Sequence, residues 1–165
     1  MAQVVDGAAN FDGFGAVPAS ILHSWLALGE QATVDSELYA LIRAIDALSW
    51  EWRAAWQYNQ ALWWLGSDYS DGITHAMKAL QETGLDIRRA WTSWGGAMDW
   101  LSEYGDPQKG GVYQPLYQHV VAQQQRLDQQ LSRLQEYVTL LCQEWSLPLA
   151  VVPDLSEGAA DGRNA

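Results

Sequence analysis

The chain has 165 residues, 48% of them apolar, and a formal net charge of −11. A domain of that length buries enough surface to fold without a disulfide or metal staple, and its one cysteine, Cys142, leaves no intrachain disulfide to make. Acidic residues outnumber basic ones by 20 to 9 and are spread along the chain, and the only adjacent basic pair is Arg88–Arg89, which excludes the clustered cations that nucleic-acid binding needs.

Residues 1–17 are rich in Gly, Ala and Asp and read as an extended arm. They have neither the basic start nor the apolar run of a secretory signal, which predicts a cytoplasmic protein or part of a soluble assembly. Pro18 can open a short helix over 18–29, with Ile21, Leu22, Trp25, Leu26 and Leu28 as its apolar residues and Gly29 as its stop.

The first long helix is predicted over 35–65. Leu38, Leu41, Ile42, Ile45, Leu48, Trp52, Ala55, Trp56, Leu62 and Trp63 recur at spacings of three and four, and this wide face is expected to form the core. Thr33 or Asp35 can cap its start, and Gly66 suits a left-handed residue just past its end. The second long helix is predicted over 68–104, with Ser67 or Asp68 as N-cap and a stripe of Ile73, Met77, Leu80, Gly84, Ile87, Trp91, Trp94, Met98 and Leu101. Gly84 lies on that stripe and predicts close helix–helix approach, whereas Gly95–Gly96 permit either packing or a break. Gly105, Asp106 and Pro107 end the helix.

The third long helix is predicted over 114–146, with Pro115 in its first turn. Tyr113, Tyr117, Val120, Gln124, Leu127, Leu131, Leu134, Val138, Leu141 and Trp145 form a heptad seam with one polar member, satisfied either inside the chain or by a second copy. Residues 147–165 carry Pro148 and Pro153 and read as an extended or disordered C-terminal arm. The expected fold is all-α: an antiparallel bundle of three long helices, with a short N-terminal helix and an arm at each end.

No catalytic, cofactor or metal pattern emerges. Of His23, His75 and His119, the last two would face opposite ends of such a bundle and cannot share a metal within one chain, and each of the three reads as a solvated or capping side chain. Cys142 reads as a small buried hydrophobe, and carboxylate pairs such as Asp46/Glu51 have ordinary helix-surface spacing. No apolar run reaches the length of a membrane span.

The unusual feature is ten Trp against two Phe. Trp50 and Trp64 lie on an otherwise polar row of the first long helix, with Arg53 between them. Trp100 lies off the stripe of the second. These four residues are the candidate partner-binding anchors, because exposed clustered aromatics mark contact sites. The expectation is therefore a non-enzymatic interaction protein without a cofactor, whose partner is another protein or further copies of itself. The alternative is a binder of a hydrophobic surface or small apolar ligand through a Trp-lined groove.

Overall fold

The computed structural model describes residues 19–30, 35–104, 109, 111 and 113–145. Four helices are present: α1 Ala19–Glu30, α2 Asp35–Leu65, α3 Gly72–Tyr104 and α4 Gln114–Glu144. There is no strand among the described residues, and the chain is an all-α bundle. The two expected arms, 1–17 and 147–165, lie outside the described residues.

Helices α2 and α3 form an antiparallel hairpin in constant register. Trp64 stacks on His75, Arg53 pairs with Asp86, the Arg89 guanidinium lies over Trp50, and Trp100 stacks on Tyr39. Every step back along α2 in this series is matched by an equal step forward along α3, so the two axes keep their alignment from the turn to the far end. Small residues allow the close packing. Ala40, Ala47, Ala54 and Ala61 recur every seven residues on α2, Ala76, Thr83, Ala90 and Ala97 recur every seven on α3, and all eight are buried. No large side chain stands between the backbones along these rows.

Helix α4 returns antiparallel to α3. Gln124 donates to the Trp91 carbonyl, and His119 meets Trp94 edge-on, 5.4 Å between ring centres. Most of the α4 seam turns inward: Tyr113, Val120, Leu127, Leu131, Leu134, Val138 and Leu141 are buried with Leu116 beside them, and Tyr117 and Gln124 are half-buried, whereas Trp145, expected as the last seam member, lies just past the helix end at Glu144 and is exposed. Cys142 beside them is buried as expected. Helix α1 brings Trp25 to within 6.3 Å of the Trp94 ring and Leu28 into the same core.

Several local expectations are corrected. Helix α1 runs through Gly29 to Glu30. Helix α3 starts at Gly72 rather than near Asp68, because Ser67 donates its hydroxyl to the Trp64 carbonyl and so closes the end of α2 instead of opening α3. Gly66 is not left-handed; its N–H continues the helical pattern to the Leu62 carbonyl. Gly84, Gly95 and Gly96 stay inside one unbroken α3, and Gly96 makes room for the Arg43 guanidinium. His119 is buried rather than solvated.

The largest correction concerns α2. Its inward face is Glu37, Ala40, Ala44, Ala47, Glu51, Ala54, Tyr58, Ala61 and Leu65, all buried. Most of the bulky stripe expected in the core points away from the bundle instead.

Candidate interaction surface

The outward face of α2 carries Leu38, Ile42, Ile45, Ser49, Trp52, Trp56, Asn59 and Trp63, and every one of these is exposed. Their spacing alternates four and three without interruption, which is the pattern of a coiled-coil seam. Trp52 is 79% exposed, Trp56 58% and Trp63 57%. At 1.5 Å per residue the stripe is roughly 38 Å long. None of its eight positions is charged. It lies on the opposite side of α2 from the Ala face that meets α3, so α2 presents two faces back to back, an inward one of mostly small residues and an outward one of bulky apolar residues.

The stripe faces outward because the inner face is committed elsewhere. Besides its alanines, that face carries two buried carboxylates with specific partners. Glu37 accepts from the Tyr113 hydroxyl and from Lys109 Nζ at 2.8 Å. Glu51 accepts from Trp94 Nε1 at 2.8 Å and from the Arg126 guanidinium, which also reaches Gln123. Turning α2 to bury its tryptophans would take both carboxylates away from these partners and leave the buried Trp94 indole N–H and the Arg126 guanidinium without their acceptor.

The four residues singled out from sequence occupy a different position. Trp50 is half-buried and packs against two guanidinium groups, Arg89 at 4.9 Å and Arg53 at 5.7 Å from the ring centre. Both arginines also hold the buried Asp86, Arg89 at 2.8 Å and Arg53 at 3.4 Å. Trp64 is half-buried against His75, Trp63 and Tyr69, and Trp100 is half-buried on Tyr39. These rings brace the α2–α3 hairpin, while Arg53 remains exposed at its edge. The stripe of Trp52, Trp56 and Trp63 escaped the sequence reading because its periodicity suits an interior face equally well.

No known protein family, curated protein or solved structure matches the chain.

The polar interior offers little chemistry. Burial holds the Asp86 carboxyl above its ordinary value, against the opposing pull of Arg89 and Arg53. Burial, helped by nearby Arg126, lowers the His119 imidazole, which favours its neutral form. Burial pushes the Tyr137 hydroxyl up to about 12 and raises Tyr58 as well, so both stay protonated. Among the described residues no three His, Cys, Asp or Glu side chains converge on a possible metal position. No helix among them is long and apolar enough to cross a membrane.

An open groove lies at the hairpin tip, lined by Leu62, Trp63, Gly66, Ser67, Asp68 and Tyr69. It continues the end of the stripe, and Trp63 belongs to both.

Proposed function

We propose that this is a non-enzymatic interaction protein that works by protein–protein contact through the outward face of α2. One observation carries the reading: an uncharged, heptad-spaced row of Leu38, Ile42, Ile45, Trp52, Trp56 and Trp63 that the chain's own bundle leaves uncovered. Isolated exposed apolar residues are common, but a row of bulky aliphatic and then aromatic side chains along most of a helix marks a contact site. The heptad spacing favours a helix as the partner element, since knobs at this period fit the holes of another helix. Trp50, Trp64, Trp100 and Arg53 support the face from behind by fixing α2 on α3.

A photo-crosslinking amino acid placed at position 52 or 56 tests this in the cells that make the protein. The expected result is a discrete protein adduct at both positions and none at the exposed Gln129 of α4. A folded protein that yields no protein adduct at 52 or 56 overturns the reading. The tip groove supports a second reading, an apolar ligand held between Trp63 and Tyr69. Its mark would be ligand-dependent quenching lost in Tyr69→Ala but kept in Ile45→Ser.

A further inference from the structure

We infer that the partner helix is α2 of a second copy of this chain, packed antiparallel about a twofold axis that passes between Trp50 and Glu51. The inference rests on α2's outward face being a contact surface, and it names what covers it.

The seam is asymmetric along its length. Its first half is aliphatic, with Leu38, Ile42 and Ile45, and its second half is aromatic, with Trp52, Trp56 and Trp63. Antiparallel pairing sets each half against the other. Leu38 then faces the second copy's Trp63, Ile45 its Trp56 and Ser49 its Trp52, and Ile42 faces its Asn59 toward the end of the seam. Each indole meets a smaller side chain, and the smallest, Ser49, meets the most exposed indole. Parallel pairing would instead bring Trp against Trp at three levels, aliphatic against aliphatic at three, and Ser49 and Asn59 each against itself at the remaining two, a poor match for layers of constant width.

Charge complementarity points the same way. The row flanking the seam on the α3 side is Tyr39, Asp46, Arg53 and Gln60. In the antiparallel register this row runs past itself, which places Asp46 opposite the second copy's Arg53 on both sides of the axis. Parallel pairing would place this row against the other flank, Leu41, Leu48, Ala55 and Leu62, leaving both charges opposite apolar side chains. No seam position carries any of the net charge of −11, so burying the seam desolvates no charged side chain, and salt screens the remaining repulsion between the two copies.

The twofold axis makes distances the deciding measurement. In a Cys142→Ala background, nitroxide labels are attached at Ser49→Cys in one preparation and Asn59→Cys in another, and each is measured in the assembled protein. Antiparallel pairing predicts a short separation at 49, below about 15 Å, and roughly 25–30 Å at 59, from the rise per residue and the distance between packed helices. Light scattering over a tenfold concentration range should give about twice the 18.4 kDa of one chain. Asp46→Arg leaves the Arg53–Asp86 pair intact and should weaken dimerisation about tenfold, because two like charges then meet at each side of the axis.

Short separations at both labels would show a parallel pair and overturn the inference. A clean monomer would overturn it too. If position 52 then crosslinks to a different protein, the contact-surface reading survives without the dimer; if it crosslinks to nothing, both readings fall.

Discussion

Ala47 and Ala54 have no exposed surface, and each stands where a larger side chain would hold α2 and α3 apart. Ala54→Leu is therefore expected to lower stability by about 1–3 kcal/mol through overpacking, read by urea denaturation. Glu51 is a different kind of buried residue. It satisfies both the Trp94 indole and the Arg126 guanidinium, so Glu51→Ala leaves the buried indole N–H without its acceptor and the part-buried Arg126 with Gln123 alone, and should cost about 1–3 kcal/mol. His119 makes the stability depend on pH. Its folded-state pKa lies below the unfolded value of 6.5, so the unfolded chain binds the proton first on acidification. Its contribution is thus complete above about pH 6.5 and is lost as pH falls toward the folded pKa, at up to about 1.4 kcal/mol per pH unit within that window. Melting temperatures measured from pH 7.5 to 5 should decline for this reason, and His119→Gln should flatten the part of the decline that begins near 6.5. An unchanged slope in that variant would assign the decline to other groups.

At the scale of the helix, α2 shows why only part of the arrangement could be read beforehand. The three long helices and the inward seam of α4 were legible because Leu127, Leu131, Leu134, Val138 and Leu141 leave one bulky face and no rival. Helix α2 has a rival. Bulk places Leu38, Ile45, Trp52 and Trp56 on one side, and a reading by hydropathy buries them. The side that is buried is marked by small residues and two carboxylates, and both signals score as surface. The clue lay in a size pattern, Ala40, Ala47, Ala54 and Ala61 at a strict period of seven, repeated by Ala76, Thr83, Ala90 and Ala97 across the turn. The candidate anchors Trp50 and Trp64 were picked out as aromatics on a polar row. That row includes Arg53, which together with Arg89 of α3 packs on the Trp50 ring. The two sides of α2 should respond oppositely to substitution. Trp52→Ser combined with Trp56→Ser is expected to change the isolated chain's stability by less than about 1 kcal/mol, since neither ring has a place in the bundle core. If the pair of changes unfolds the chain, the outward face belongs to the core after all. The turn offers a parallel contrast. A Cβ on Gly72 would meet the Trp64 carbonyl oxygen at 2.7 Å, which is backbone and cannot move aside, so Gly72→Ala should destabilise by about 1–3 kcal/mol. A Cβ on Gly96 would meet only the end of the Arg43 side chain, and the gain in helix propensity of up to about 1 kcal/mol offsets that adjustment.

Across the whole molecule, the bundle has an inside shared by α2, α3 and α4 and, among the described residues, an outside whose longest row of exposed bulky apolar side chains runs along α2. The rungs that tie α2 to α3, from Trp64 with His75 at the turn to Tyr39 with Trp100 at the far end, leave the hairpin no freedom to slip. One consequence concerns how such a chain can grow or shrink over generations. A single residue inserted into α2 turns everything beyond it by about 100°, which would drive tryptophans toward α3 and lift the alanines into water. Two heptads cut at mirrored positions, one from each arm of the hairpin, would keep every surviving rung in place on α2 and α3. Lineages carrying this hairpin should therefore differ in length by paired sevens, and tolerate almost no other indel between residues 39 and 100.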